Sequence, residues 1–99
     1  MSKESDFQAK LIKEIESRFP GSIVVKLDPR YKQGIPDLLI LYKDKWATLE
    51  CKRDENSSKR TNQPYYVKLM DEMSFSRFIS LDNKKEVLDE LSKSFELNE

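Results

Sequence analysis

The sequence predicts an α/β fold in which three helices pack on a mixed four-stranded sheet, in the order α-β-β-β-α-β-α. Apolar residues recur at helical spacing in three segments, short apolar runs of strand length stand between them, and turn-forming residues separate the segments. With 99 residues, of which 37% are hydrophobic and 36% charged, the chain has material for one small core. We therefore expect a single domain over residues 1–99.

The first helix is predicted over residues 2–19, where apolar side chains recur every three or four positions. Its apolar face consists of Phe7, Leu11, Ile12, Ile15 and Phe19. A Pro-Gly pair at 20–21 ends this helix. The β-branched run at 22–27 leads into an Asp-Pro turn and predicts the first strand, and residues 31–36 predict a loop.

A β-hairpin is predicted next. The apolar runs 37–42 and 45–51 stand on either side of a polar pair at 43–44, which can form a tight connection. The first arm is apolar on both faces, as in a central strand. Residues 53–62 are polar throughout and predict a surface loop.

Two helices and one strand complete the prediction. Thr61 or Asn62 can cap the second helix, alternation over residues 75–81 predicts the fourth strand, and Asp82 or Asn83 can cap the third helix. The apolar stripes are Tyr66, Leu69, Met70 and Met73 in the second helix and Val87, Leu88, Leu91 and Phe95 in the third.

Missing and rare residue types exclude several classes of enzyme. The chain has no histidine, which excludes Ser-His-Asp and Cys-His nucleophile systems, a histidine general base and histidine-ligated metals. The single cysteine, Cys51, cannot form an internal disulfide or a cysteine-rich zinc site. Two glycines cannot supply a glycine-rich phosphate loop. Any chemistry must use carboxylates, lysine or arginine, amides and hydroxyls, with or without a hard metal ion.

The hairpin carries the candidate site. A turn at residues 43–44 brings Asp37 opposite Glu50 or Cys51, so two carboxylates meet at one end of the sheet. Alternation along the second arm places Glu50 and Lys52 on the same face. Carboxylates this close repel each other unless a cation or a shared proton compensates them. Their oxygens suit Mg²⁺ or Mn²⁺, and the charge of Lys52 can orient an attacking water or stabilise charge on phosphate oxygens.

A plainer interpretation also fits these residues. Asp37 could simply end a turn after Pro36, and Glu50 and Lys52 could be solvated residues of an edge strand. We favour the metal site because each acid ends an apolar arm at the same end of one hairpin.

The first helix adds a third candidate acid. At about 100° of rotation per residue, Glu4 and Gln8 fall within the apolar face of this helix. A carboxylate on the core-facing side needs a partner, and a metal at the hairpin would be one, so Glu4 is predicted as a further ligand. Alternatively, Glu4 favours the helix N-terminus electrostatically and Gln8 completes a capping box with Ser5. Glu14 lies at the flank of the same face and ranks below Glu4.

Three motifs resemble those of a known superfamily. G-I-P-D-L-L-I at residues 34–40, E-C-K-R at 50–53 and Gln63 at the start of a helix look like the PD-(D/E)XK nucleases. Within that superfamily the sequence most resembles the virus-type replication-repair nuclease (VRR-NUC) domain, in its stand-alone form from phages and bacteria. The resemblance covers nearly the whole chain and implies a restriction-endonuclease-like mixed sheet flanked by helices.

The resemblance also implies an activity and a set of roles. It implies Mg²⁺-dependent phosphodiester hydrolysis, with Mn²⁺ as a substitute and no organic cofactor. Asp37 and Glu50 would be metal ligands together with the Cys51 backbone carbonyl, and Lys52 would be the catalytic lysine. Gln63 would support the site, and the glutamate of the first helix maps to Glu4. Branched DNA such as Holliday junctions would be the substrate, and the protein would act as a homodimer.

The charge distribution fits a polyanionic substrate. Residues 26–60 include nine basic and six acidic residues, whereas residues 82–99 include three basic and six acidic ones. Phosphate contacts are predicted for the basic residues of the two loops nearest the site. These residues are Arg30, Lys32, Arg53, Lys59 and Arg60. Tyr31 and Tyr65 could stack on unpaired bases. The alternative is an ordinary solvated surface.

Two other functions remain open at this point. The chain could be a non-catalytic nucleic-acid-binding module of the same fold. It could also be a protein-interaction module, such as an inhibitor of a host or phage enzyme, whose acidic last helix binds a basic partner. No window approaches the roughly 18 consecutive apolar residues of a membrane span. We therefore expect an intracellular, cytoplasmic protein without a membrane partner, which acts in the host cell if a phage encodes it.

Overall fold

The computed structural model describes residues 3–53 and 63–96, and within them the predicted order of elements is confirmed. The helices are α1 (Lys3–Arg18), α2 (Gln63–Met73) and α3 (Lys84–Glu96), and the strands are β1 (Ile23–Lys26), β2 (Leu38–Tyr42), β3 (Lys45–Cys51) and β4 (Ser76–Ile79). The prediction of a loop over 53–62 lies, apart from Arg53, outside the described residues.

The four strands form one mixed sheet in the order β1-β2-β3-β4. β1 pairs with β2 and β2 pairs with β3, both antiparallel, and a two-residue turn at 43–44, in which Lys43 takes a φ of 57°, joins β2 to β3. β4 is parallel to β3. A parallel neighbour needs a crossover connection, and α2 supplies it.

The main core lies between one face of the sheet and helices α1 and α3. Its buried side chains include the predicted helical stripes and alternate residues of the strands: Phe7, Leu11, Ile15, Phe19, Leu38, Ile40, Ala47, Leu49, Val87, Leu88, Leu91 and Phe95. The rings of Phe19, Tyr42 and Phe95 meet with centroids 5.2–5.5 Å apart beside the hairpin turn. Phe19 directly follows α1 and lies at the end of the sheet that carries the hairpin turn, so the N-terminus of α1 lies at the opposite end.

Helix α2 covers part of the other face. The Met70 sulfur lies 3.4 Å from the Thr48 hydroxyl, which lies 2.8 Å from the hydroxyl of Ser76 on β4. Nearer the hairpin turn, the Ser74 hydroxyl donates to the Trp46 carbonyl. α2 therefore runs antiparallel to β3, and its first turn lies at the end of the sheet where β3 ends.

The β1–β2 half of this second face is left open in the described part of the chain. Ile23 pairs with Leu41 and Val25 pairs with Leu39 across the two strands. Cross-strand partners point to the same face of a sheet. Ile23, Val25 and Leu41 are exposed, so they form an apolar surface at the edge of the sheet, called here the β1–β2 face.

Three details differ from the sequence prediction. In α2 the buried residue is Val67, whereas Met73 is 64% exposed at the end of the helix, where it lies beyond the sheet. β4 ends at Ile79, so Leu81 lies outside the strand and is exposed. Asn83 stands at the N-cap position, but its side chain bonds back to the Ser80 N–H and the Phe78 carbonyl and so joins α3 to β4. None of the described helices has the length and apolar character to cross a membrane.

Candidate active site

The open end of the hairpin brings Asp37 across from Glu50. Leu38 pairs with Leu49, so the next position outward places Asp37 opposite Glu50. The Asp37 N–H donates to Glu50 Oε1 at 3.1 Å, and the Cys51 N–H donates to Asp37 Oδ2 at 2.9 Å. Both partners that the sequence left open for Asp37 are therefore used. Each carboxylate is held by the backbone of the opposite strand, which fixes both acids to rigid elements.

Lys52 completes the cluster from the same face as Glu50. Its Nζ lies 3.7 Å from Glu50 Oε2, and the side chains are 11% and 2% exposed. The Lys52 N–H donates to the Ile79 carbonyl at 2.8 Å, so β4 fixes the backbone at this position. β3 is a central strand, and the interpretation of Glu50 and Lys52 as solvated edge residues is therefore wrong. We call Asp37, Glu50 and Lys52 the acid cluster.

Folding stability does not explain the acid cluster. Transferring a carboxylate or an ammonium from water into a protein interior costs several kcal/mol, and a buried ion pair often stabilises less than apolar side chains of similar volume. A sequence selected only for stability would place apolar residues at the Glu50 and Lys52 positions. Charged residues that are retained although their burial lowers folding stability are typical of functional sites.

The donor set of the cluster fits a hard divalent cation. In residues 3–53 and 63–96 no group of three or more His, Cys, Asp or Glu side chains could hold a metal, so Asp37 and Glu50 stand as a pair. Mg²⁺ is usually held by one or two carboxylates and keeps several waters, which matches a pair of acids with an open side. The predicted third oxygen, the Cys51 carbonyl, lies at the end of the same strand, while the Cys51 side chain is buried in the core.

The backbone of Glu4 lies at the same end of the sheet as the acid cluster. From Phe19 back to Glu4, fifteen residues of helix rise about 22 Å. From Tyr42, which Phe19 contacts, to Asp37 the strand covers about 17 Å. Glu4 therefore stands just beyond the level of Asp37, although its side chain lies outside the described residues. Gln8, one turn later, is half-buried.

Glu14, the reserve candidate, is placed elsewhere. Its Oε1 accepts a hydrogen bond from Lys84 Nζ at 2.9 Å, which ties α1 to α3. It stands near the middle of α1, about 15 Å of helical rise from Glu4. The structure thus gives Glu14 a part in joining two helices.

Gln63 begins α2 at the level of the acid cluster. Met70 contacts Thr48, and the seven residues of helix before it rise about 10.5 Å. The three residues of strand from Thr48 to Cys51 cover about 10 Å in the same direction. The backbone of Gln63 therefore lies beside Cys51, while its side chain is outside the described part of the chain.

The predicted DNA contacts divide into three groups. Lys32 and Arg53 are exposed. Arg30 is exposed as well, but its guanidinium makes two bonds to the Asp28 carboxylate, both 3.1 Å long, which offset part of its charge. Lys59 and Arg60 lie outside the described residues.

Asp28 pairs with Arg30, and this contact was not predicted from the sequence. An acid two residues before an arginine, at the start of a turn, is the signal that could have found it. Asp28 belongs to the 28–36 loop, which is closed at its base by a 2.8 Å hydrogen bond from the Leu27 N–H to the Asp37 carbonyl. The loop therefore begins and ends at the acid cluster.

Two solved structures resemble the chain over most of its length. One, a VRR_NUC domain, has a TM-score of 0.70 at 25% sequence identity, and the match covers 90% of this chain and 97% of that chain. The other, a VRR_NUC domain protein, has a TM-score of 0.64 at 16% identity, with 91% of this chain and 88% of that chain covered. No protein-family model matches the sequence, and no curated protein matches it significantly.

These likenesses, taken with the sheet topology and the acid pair, define a nuclease-type domain of the restriction-endonuclease-like fold. Within that fold the architecture is that of the VRR-NUC domain. The resemblance indicated by the motifs at 34–40 and 50–53 is thereby confirmed.

Proposed function

We propose that the protein is a Mg²⁺-dependent, structure-selective endodeoxyribonuclease that hydrolyses phosphodiesters in branched DNA such as Holliday junctions. The observation that carries the proposal is the acid cluster, in which the half-buried Asp37 and the buried Glu50 are fixed by cross-strand hydrogen bonds beside the buried Lys52. The VRR-NUC fold supports the same class of chemistry.

Each residue of the cluster has a definite part in this proposal. A bound Mg²⁺, or Mn²⁺ in its place, supplies Lewis-acid activation and neutralises phosphate charge. Asp37 and Glu50 would hold the ion with the Cys51 carbonyl, and two backbone N–H groups, one to each carboxylate, restrict the positions of the side chains. Lys52 places a positive charge where it orients the attacking water or stabilises charge growing on phosphate oxygens. Gln63 and Glu4, whose backbones lie at this end, would support the site.

Substrate binding would use the surface around the cluster. Lys32 and Arg53 are exposed on the segments that lead into Asp37 and out of Lys52, and there they would contact phosphates without reading base sequence. A homodimer would present two such sites to two strands of a branched DNA. The exposed apolar β1–β2 face is the surface that a second copy would cover.

The test of the activity is cleavage of a labelled four-way junction, with matched duplex, single-strand and nicked-plasmid substrates, in Mg²⁺ or Mn²⁺ and in EDTA. The proposal predicts paired cuts near the branch that require the metal and are lost in Glu50→Ala and Asp37→Ala proteins that keep the wild-type circular dichroism spectrum. Cutting of unbranched forms alone would keep the nuclease and remove the junction preference.

Two results would contradict the nuclease assignment. Salt-sensitive DNA binding without cleavage in either metal would favour the non-catalytic binding module. Failure to bind DNA even at low salt would favour the protein-interaction role.

Cleavage by Asp37→Ala at the wild-type rate would show that the assigned acids are not the catalytic ones.

The dimer has its own test. Sedimentation equilibrium at micromolar concentration should give a mass about twice the 11.7 kDa of the chain. A mass of a single chain would count against the homodimer and leave the activity proposal untouched.

A further inference from the structure

Tyr31 is the most exposed large hydrophobic side chain of the described residues, at 89% of its full accessible surface. A tyrosine ring has a large apolar area, and its exposure is unfavourable where nothing covers it. Single exposed apolar residues are common on protein surfaces, so exposure alone does not indicate a role. Two further observations, the bracing of its turn and its position beside the acid cluster, distinguish Tyr31.

The turn that carries Tyr31 is braced by polar contacts. The Asp28 carboxylate accepts the Arg30 N–H at 2.8 Å and the Arg30 guanidinium at 3.1 Å, and the Tyr31 N–H donates to the Asp28 carbonyl at 3.1 Å. The hydrogen bonds from the Arg30 guanidinium and the Arg30 N–H lower the pKa of Asp28 below its ordinary value of 3.8, so its carboxylate stays charged at neutral pH. The backbone of Tyr31 is thus held in one place while its ring projects into solvent.

The braced turn stands close to the acid cluster. Leu27 is hydrogen-bonded to Asp37, and Tyr31 follows Leu27 by four residues, so the Cα atoms of Tyr31 and Leu27 are at most about 14 Å apart and those of Tyr31 and Asp37 at most about 20 Å apart. Successive nucleotides of a strand are spaced about 3.4 Å apart along a duplex. A DNA strand whose phosphate lies at the cluster therefore has bases near the Tyr31 ring within about six nucleotides. The next residue, Lys32, adds a cation for the intervening phosphates.

Stacking on Tyr31 requires a base with an uncovered face. Bases within a duplex are covered on both sides by their neighbours, whereas an unpaired base, or a terminal pair at a strand exchange, offers one free face. We propose that Tyr31 stacks on such a base and is the residue that selects branched over continuous DNA. This inference rests on the proposed function, because it assigns the substrate preference of the same site.

The test compares Tyr31→Ala, Tyr31→Phe and Tyr31→Trp with Met73→Ala, which removes an exposed apolar side chain at the other end of the sheet. The probes are a four-way junction, a single-strand flap, a single strand and a covalently closed circular duplex, which has no terminal base pair, with 2-aminopurine at the positions next to the branch in the branched probes. Binding and 2-aminopurine fluorescence are measured in Ca²⁺, so the readout does not depend on cleavage.

Tyr31→Ala should weaken binding of the branched probes about tenfold, with less than a twofold change for the duplex. Stacking on the Tyr31 ring should quench the 2-aminopurine fluorescence of the wild-type complex, and Tyr31→Ala should abolish this quenching. Tyr31→Phe, Tyr31→Trp and Met73→Ala should behave as wild type. If the flap and the single strand are affected most, Tyr31 stacks on an unpaired base. If the four-way junction is affected most, Tyr31 stacks on a terminal pair at the strand exchange. Equal losses on branched and duplex DNA, or no loss on either, would overturn the inference.

The outcomes separate this inference from the proposed activity. If Tyr31-dependent binding is found but no substrate is cut, the nuclease proposal fails and the stacking role stands. If wild type cleaves junctions and Tyr31→Ala binds and cleaves them equally well, the stacking role fails alone. If wild type binds none of the probes, both fail.

Discussion

The two ends of the β2–β3 hairpin carry similar residues in opposite environments. At the turn, Asp44 is 88% exposed and pairs with Lys45 at 3.1 Å. At the open end, Glu50 is 2% exposed, and its pair with Lys52 is longer, at 3.7 Å. Each end of β3 thus has an acid and a lysine close together, but only the pair at the open end is buried.

The two ion pairs differ in whether folding stability explains them. An exposed ion pair costs little and contributes little to stability, so the turn pair needs no special explanation. A buried pair costs folding free energy unless its geometry is excellent, and a separation of 3.7 Å is not that geometry. The burial of Glu50 and Lys52 therefore supports the proposed metal site, and matched substitutions at the two ends should give very different results.

The largest expected contrast is in catalysis by amide variants. Glu50→Gln keeps the size of the side chain but removes the charge that would hold the metal, so it should lower kcat/KM by at least about 100-fold. Asp44→Asn makes the same chemical change at the turn and should leave kcat/KM within about twofold of wild type. Single-turnover cleavage of the four-way junction measures both. Equal activity of the two variants would remove the distinction between the ends.

The lysines at the two ends of β3 give the next contrast: Lys45 begins the strand, and Lys52 directly follows it. Lys52→Met keeps most of the apolar stem and removes the charge, and it should lower kcat about 100-fold while KM changes little, because its charge acts at the reacting phosphate. Lys45→Met is the control, since Lys45 lies at the other end of this strand and pairs only with Asp44 among the residues described. A large rise in KM with an unchanged kcat would make Lys52 a binding residue instead.

Metal binding can be followed without substrate. A divalent ion that binds the folded state at ten times its Kd should stabilise it by about 1.4 kcal/mol, a rise of several degrees in Tm for a domain of this size. Differential scanning fluorimetry with and without Mg²⁺ should show this rise for wild type and Asp44→Asn and none for Asp37→Asn. An equal rise for Asp37→Asn would place the ion elsewhere.

The hairpin was predictable from sequence because its information is local. The polar pair at 43–44 sets the turn, the turn sets the register, and the register alone brings Asp37 opposite Glu50. The buried faces of α1 and α3 were equally predictable. Apolar residues that recur with a period of about 3.6 lie on one face of a helix, and in both helices that face packs in the core.

Other features depend on packing between distant segments, and a single sequence does not contain them. Which residues of α2 are buried depends on where the helix crosses the sheet. For this reason Val67 is buried, whereas Met73, which was predicted to lie on the apolar face, is exposed. The ion pair between Glu14 and Lys84 joins residues 70 positions apart. The pairing of Asp28 with Arg30 is local, but it is a choice among several turn geometries that the sequence alone leaves open.

The smallest expected effect is the pH dependence of the turn pair. The hydrogen bond from Lys45 holds the pKa of Asp44 below its ordinary value of 3.8. Because the folded-state pKa is lowered, the pair stabilises the fold above pH 3.8 and loses this contribution as the pH falls through the lowered pKa. Asp44→Asn should therefore have a slightly lower Tm at pH 7, with the difference from wild type vanishing in acid. A difference that does not change with pH would show that the ion pair is not its cause.

Anomalous scattering from crystals soaked in Mn²⁺ would locate an ion bound at the acid cluster. We expect a peak between the carboxylates of Asp37 and Glu50, with ligand distances of about 2.0 to 2.3 Å, and no peak there in Glu50→Gln crystals. Mn²⁺ bound only at other acidic groups, such as Glu86, Asp89 and Glu90 of α3, with nothing at the open end of the hairpin, would contradict the proposed metal site.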